Sequence, residues 1–221
     1  MRDGIVHEES YLGHRPRILF VLKEPNDLEG GGWDLRNFVE TGARSRTWDN
    51  LARWVAGIRR LPEETAWQEV AILTADRIKS LLHSIAAMNV KKSPGGGVAE
   101  RAKIISIARE DRDFLLEQFN IYAADLVVSC GSPVRELVEE LLLDAAHGSW
   151  KSTSRGVWFK EFRPSRFAVD YAHPQVRTWG HLLFYGLVDA IREIAKPAAR
   201  CRTWRPDRSA RSANLSEERE K

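Results

Sequence analysis

Three polar side chains follow short apolar runs in widely separated parts of the sequence. Glu24 follows residues 18–22, Asn89 follows residues 85–88, and His173 follows residues 166–172. A carboxylate can hold or deprotonate a water molecule, and an amide can read the edge of a planar ring. A histidine can donate a hydrogen bond to an oxygen that gains negative charge. These residue types indicate a site that binds a planar group and handles water.

The stretch around Glu24 predicts how such a site is built. Residues 18–22 are apolar without interruption, which is typical of a strand buried on both faces in a parallel sheet. Pro25 cannot donate to a strand ladder, so the chain must leave the sheet there. In open α/β sheets, ligands bind at the carboxyl ends of the strands. We therefore interpret Glu24 as the chemical centre.

The rest of the chain alternates predicted strands with predicted helices. This order favours a three-layer α/β/α sandwich with a short, mainly parallel central sheet. Residues 83–90 are compatible with either a helix end or a second short strand. The other predicted strands are 125–131, 156–162 and 166–172, and the longest predicted helices are 63–82, 99–122 and 178–194.

The boundaries follow from composition. We expect one α/β domain over residues 17–196, preceded by a loose polar lead-in at residues 1–16. Residues 197–221 contain little apolar content and recurrent arginines, which predicts a disordered basic tail.

Composition narrows the function classes. The 221 residues carry a net charge of +3, which permits a polyanionic partner without requiring one. Two cysteines are too few for a disulfide framework or a four-cysteine metal or iron–sulfur site. We expect no metal or organic cofactor. No apolar run approaches membrane-spanning length and no signal peptide is evident, so we expect a cytoplasmic protein.

Three short motifs resemble those of the uracil-DNA glycosylase superfamily. They are Lys23-Glu24-Pro25-Asn26, Asn89-Val90-Lys91 and His173-Pro174-Gln175, in that order along the chain. In that superfamily, the first loop carries the residue that positions water, the second reads the extruded base, and the third stabilises the departing base. The resemblance covers roughly residues 15–196, although single motifs of this length are weak signals.

The resemblance implies a role for each candidate residue. Glu24 would orient the water and His173 would stabilise the leaving base. Asn89 would read the base, and DNA, single- or double-stranded, would be the partner, with no membrane and no obligatory protein partner. The base would also be contacted by Trp33, Pro25 and Asn26, and the DNA by Lys91, Lys92, Val176 and Arg177.

The sequence departs from the superfamily pattern at several positions. Leu22 replaces the first glycine of G-x-x-P, and Asn26 replaces the tyrosine that excludes thymine. Gln175 replaces the serine of H-P-S, and Val176 and Arg177 occupy the region of the usual leucine wedge. The motifs therefore indicate a divergent branch whose target base is not specified.

Each candidate has a plainer alternative. Glu24 and His173 could be ordinary polar residues at strand ends, and Asn89 could be a turn residue. Trp33 could belong to the core or to a lid. Lys91 and Lys92 could form a solvated pair, and the glycine runs 30–32 and 95–97 could be plain loops.

Two other functions remain open from the sequence. One is a catalytically silent nucleic-acid-binding module on the same scaffold. The other is a small α/β enzyme acting on a nucleotide or another phosphorylated molecule.

Overall fold

The sheet and its helices are seen in a computed structural model, which describes residues 2–26, 32–43, 45–95, 100–143 and 148–198. The described strands are β1 (Gly4–Ile5), β2 (Ile18–Leu22), β3 (Ile85–Asn89), β4 (Leu126–Cys130), β5 (Lys151–Ser152), β6 (Trp158–Arg163) and β7 (Arg166–Tyr171). The described helices are α1 (Glu8–Gly13), α2 (Leu35–Glu40), α3 (Arg46–Arg60), α4 (Trp67–Ala71), α5 (Ala75–His83), α6 (Arg101–Glu110), α7 (Arg112–Tyr122), α8 (Val134–Leu137) and α9 (Gly180–Ala198). A π-helical turn, Val138–Leu142, continues α8.

The seven strands form one mixed sheet in the order β1-β3-β2-β4-β7-β6-β5. The four central strands, β3, β2, β4 and β7, run parallel, while β1, β6 and β5 are antiparallel additions at the edges. Parallel neighbours end at the same edge of a sheet, so the loops that leave these four strands lie together. This is the edge at which the sequence placed its candidate site.

Helices cover both faces of the sheet, as the sequence predicted for a three-layer sandwich. Side chains alternate across a strand, so Phe20 of β2 packs on one layer and Val21 on the other. The first layer contains α2, α3, α4, α5 and α9, and the second contains α1, α6, α7 and α8. All five residues of β2 are buried, as expected for a central strand between two helical layers.

The prediction of a loose lead-in at residues 1–16 is wrong, because this segment belongs to the fold. Gly4 and Ile5 pair with Ala87 and Ala86 and extend the sheet. Tyr11 of α1 is fully buried and donates to the carbonyl of Tyr122 at 3.0 Å. Of the described residues of this segment, only Gly4, Val6, Tyr11 and Pro16 are buried, and composition alone could not reveal the pairing of its backbone.

The predictions of two of the long helices are also wrong, because each segment contains two helices. The segment 63–82 contains α4 and α5, which are separated at Leu73 and Thr74, and the Thr74 hydroxyl caps α5 by accepting from the N–H of Arg77. The segment 99–122 breaks at Asp111 into α6 and α7. The ambiguous residues 83–90 contain a strand, β3. The basic tail predicted for 197–221 lies outside the described residues from 199 onward.

Within the described part of the chain, none of the helices combines the length and the apolar content needed to cross a bilayer.

Candidate functional site at the carboxyl edge of the sheet

The loops after β2 and β3 are joined directly to each other. Beyond the strands, the N–H of Val90 donates to the carbonyl of Leu22 at 2.9 Å, and the N–H of Lys91 donates to Lys23 at 2.9 Å. The N–H of Gly95 then donates to the carbonyl of Pro25 at 3.0 Å. The loops that follow β2 and β3 therefore form one connected border of the site.

A buried ion pair holds Glu24 in this border. The ammonium of Lys91 lies 2.5 Å from Glu24 Oε2, and the two side chains are 2% and 8% exposed. The same ammonium donates to the carbonyls of Ser93 and Pro94, each at 2.9 Å. Since an ammonium has three donors, Lys91 is fully engaged. Its positive charge compensates the negative charge of Glu24 through Oε2. Oε1 is the carboxylate oxygen that does not take part in this contact.

The burial of Lys91 corrects its predicted role as a phosphate ligand. A side chain that is 2% exposed and saturated with internal acceptors cannot reach a DNA backbone in this conformation. The motif Asn89-Val90-Lys91 indicated a lysine at a strand end, but nothing in the sequence indicated that Glu24 would be its partner.

Gly95 lets the two loops meet at the carboxylate. A Cβ atom at this position would overlap the carboxyl group of Glu24. Only glycine allows the backbone to approach Glu24 so closely, and residues 26 and 95 pair there as an isolated parallel bridge. This part of the glycine run is therefore structural, and residues 96–99 lie outside the described chain.

Asn89 lies at the end of β3 and is buried against Asp3. Its backbone N–H donates to Asp3 Oδ2 at 2.7 Å, and its side-chain amide lies 3.4 Å from the same oxygen. Lys92 and Gln118 also donate to Asp3. Sequence reasoning missed Asp3 because it lies in the supposed lead-in. The base-reading role of Asn89 stays a prediction.

Lys92 differs from Lys91 in remaining partly exposed. It lines a cleft of about 650 Å³ with Arg2 and Arg36, on the β1 side of the sheet. Burial lowers its pKa, and the neighbouring Asp3 carboxylate opposes that shift. Asp3 already pairs part of the charge of Lys92. Contact between Lys92 and a phosphate stays a prediction.

His173 stands at the end of β7 as a neutral imidazole. The backbone N–H of Gln175 donates to its Nδ1 at 3.2 Å, so the ring proton of the neutral form lies on Nε2. Burial, and after it the positive charge of Lys23, together lower the pKa of His173 to about 4. At neutral pH, Nε2 is therefore a hydrogen-bond donor on an uncharged ring.

The loop that carries His173 is held by α3. Asn50 is buried and donates from Nδ2 to the carbonyl of Pro174 at 2.7 Å, and Arg53 donates to Asn50 Oδ1 at 2.7 Å. On the other side, Gly131 has a φ of +82°, and a Cβ there would lie 3.1 Å from the Cβ of His173. The histidine is thus positioned by both neighbouring elements, which the His-Pro pair alone did not indicate.

We expect protonation of His173 to destabilise the fold. The pKa is about 4 in the folded protein and about 6.5 in an unfolded chain, so between these values the unfolded state binds more protons. Above pH 6.5 the ring is neutral in both states and the free energy of unfolding keeps its full value. As the pH falls towards 4, the free energy of unfolding decreases by up to about 3 kcal/mol. Urea unfolding of the wild type and His173→Asn at pH 7 and pH 4.5 measures it. An identical decrease in both proteins would contradict the assignment.

An exposed apolar and basic surface follows His173. Val176 and Arg177, the predicted DNA contacts, are both exposed. Trp179, which sequence reasoning missed, is 73% exposed, and Leu182 is 57% exposed. A tryptophan in the first turn of the predicted helix 178–194 was the available signal. These four residues form the surface that we call the post-histidine surface.

The remaining base-contact candidates are distributed unevenly. Pro25 is buried beneath the loop and Asn26 is exposed. Trp33 is half-buried, with its ring centroid 5.6 Å from Phe38 and 6.4 Å from Trp48. This is the packing role that the sequence left open for Trp33, and stacking on a base stays a prediction.

No protein-family model matches this chain, and no curated protein matches it. Among the residues whose placement is described, no group of three or more histidine, cysteine, aspartate or glutamate side chains could hold a metal ion.

Proposed function

We propose that the chain is a monofunctional DNA N-glycosylase that removes uracil or a related deaminated base. The observation that carries this proposal is the neutral imidazole of His173, with its donor on Nε2, at the sheet edge that also holds the Glu24 carboxylate. A general base and a neutral hydrogen-bond donor at one edge suit hydrolysis of a bond to a leaving group that departs as an anion. A cytoplasmic location and DNA as the partner belong to the same proposal.

In the proposed reaction, the target nucleotide rotates out of the base stack into the edge site. Asn89 reads the polar edge of the base. Water held by Glu24 Oε1 attacks C1′ of the sugar and gives up a proton to the carboxylate. The C1′–N bond breaks and its electron pair stays on the base.

His173 acts on the charge that the base acquires. Nε2 donates a hydrogen bond to a carbonyl oxygen of the departing anion, as an oxyanion donor does. The ring stays uncharged because burial disfavours the imidazolium and Lys23 repels it. The positive charge of Lys23 also favours an anion at this edge.

DNA contact would come from the post-histidine surface and from Lys92. Arg177 supplies a charge that suits phosphate, while Val176, Trp179 and Leu182 supply apolar area that suits bases. The basic residues 199–221 would add salt-sensitive affinity that does not depend on base sequence.

A catalytically silent DNA-binding module is the second candidate. The observation in its favour is the burial of Glu24, whose side chain is 8% exposed and paired with Lys91. A carboxylate held in this way has less access to water than a base in an open cleft. The two candidates share DNA binding and differ only in whether an abasic product forms.

The test uses labelled oligonucleotides that contain uracil, hypoxanthine, xanthine or a mismatched thymine, each as a single strand and as a duplex. After incubation with the full chain, alkali cleaves any abasic product. The matched control is Glu24→Leu/Lys91→Met, which removes the carboxylate together with its buried partner and leaves no unpaired charge. We expect strand scission above this control for at least one lesion.

Scission at the level of the control for every lesion would overturn the glycosylase proposal. If the control variant and the wild type then bind the same oligonucleotides equally well, the silent module is the correct interpretation.

A further inference from the structure

A second cleft opens beside the His173 loop, on the α8 side of the sheet. It has a volume of about 470 Å³ and lies where β4 and β7 end and β6 begins. Gly131, Ser132, Arg135, Trp158 and Asp170 are among the residues that line it. None of these residues has a role in the proposed reaction.

The wall formed by Trp158 is suited to stacking. Trp158 is 46% exposed, although it belongs to a strand of the central sheet. An exposed indole in a cleft offers a flat face on which any nucleobase can stack, and such stacking tolerates every base. Trp158 and Asp170 flank the register pair Phe159–Val169, which places them near each other at the same end of the ladder.

Asp170 supplies a carboxylate whose recorded ion-pair partner among the described residues is Arg135. Its Oδ2 lies 3.7 Å from Arg135 Nε, which exceeds hydrogen-bond distance. Burial raises its pKa, because the charged form is poorly solvated. Beside it in register, the hydroxyl of Ser129 is buried without a hydrogen-bond partner in the described structure. Of these two groups only Asp170 lines the cleft, and a ligand with N–H donors would pair with its carboxylate.

The cleft lies next to the loop that carries His173. Gly131 lines the cleft, and a Cβ at Gly131 would lie 3.1 Å from the Cβ of His173. Ala172, which precedes His173, lines the cleft as well. A ligand seated here would lie immediately beside the loop that carries the histidine, which is the expected place for the neighbour of an extruded nucleotide.

We infer that this cleft binds an unpaired nucleotide next to the one that enters the edge site, with its base on Trp158 and its N–H groups on Asp170. The preferred substrate is therefore single-stranded DNA, because a flanking base that stacks on Trp158 cannot also stay in a duplex. The inference rests on the proposed function for its DNA partner.

The test measures binding of single-stranded oligo(dC) and of a matched duplex by fluorescence anisotropy at fixed salt. We expect the wild type to bind the single strand more tightly. Trp158→Ala is expected to weaken single-strand binding about 5- to 100-fold, with recovery in Trp158→Phe, because the ring provides the stacking. Asp170→Asn is expected to weaken binding of oligo(dC) more than of oligo(dT), because cytosine presents an amino group with two N–H donors, whereas thymine presents a single ring N–H.

Leu12→Ala is the matched control, because Leu12 is a 49% exposed apolar residue of α1 that lines neither this cleft nor the cleft on the β1 side. Thermal unfolding checks that each variant is folded. Equal binding by the wild type and Trp158→Ala, or a loss equal to that of Leu12→Ala, would overturn the inference even if abasic product forms. Conversely, a loss confined to Trp158→Ala without any abasic product would uphold the cleft and refute the glycosylase proposal.

Discussion

Replacing Lys91 by methionine is expected to lower the free energy of unfolding by about 3–5 kcal/mol, because it leaves the Glu24 carboxylate buried without its counter-ion. The two side chains are 2% and 8% exposed, and the oxygen of Glu24 lies 2.5 Å from the ammonium. The change also removes the donors to the carbonyls of Ser93 and Pro94. Urea unfolding at pH 7, monitored by circular dichroism, measures the loss.

Two controls separate burial of the pair from loss of a positive charge. Glu24→Leu/Lys91→Met replaces the ion pair by apolar side chains and is expected to recover most of the stability. Arg109→Met removes a cation from the exposed pair with Glu140 and is expected to change the free energy of unfolding very little, because solvent screens exposed ion pairs. If Lys91→Met lowers the free energy of unfolding no more than Arg109→Met does, the Glu24–Lys91 pair is not a buried ion pair.

The second large effect is expected for His173→Ala, which should lower the rate of base removal by about 10²- to 10³-fold, the usual loss for one oxyanion donor. The donor is Nε2, which carries the ring proton because Nδ1 accepts from Gln175. Single-turnover scission of the oligonucleotide on which the wild type is active measures the rate. His83→Ala is the matched control, since His83 contacts Glu40 and precedes β3 at the opposite edge of the sheet.

The pH dependence of the rate provides an independent check. Because the pKa of His173 is about 4, protonation of this residue should not lower the wild-type rate between pH 7.5 and pH 5.5. A decrease in rate with an apparent pKa near 6.5, absent in His173→Ala, would show that the ring is not held neutral.

The main strands and the layer architecture were predictable from the sequence. β2 coincides with the apolar run 18–22, and β4 falls within 125–131. The hairpin of β6 and β7 turns at the predicted residues. Continuous apolar runs of this length bury both faces, and the proline or glycine that follows each of the first two ends the strand locally.

Helix breaks were not predictable with the same method. The apolar spacing of residues 99–122 continues through Asp111, which ends α6 and begins α7. Helical periodicity reports which face is buried, and two consecutive helices on the same layer preserve it across a break. The pairing of β1 was missed for a related reason, because two residues are too short for a pattern.

The sequence by itself determined which polar residues stand at strand ends, since residue type and the end of an apolar run are local properties. Only the tertiary structure decided their chemical state. Lys91 is 67 residues from Glu24 and became its buried counter-ion rather than a phosphate ligand. His173 is held neutral by burial and by Lys23, which arrives from a different strand. Charge pairing and desolvation depend on distances in space, and these are set by the order of strands in the sheet.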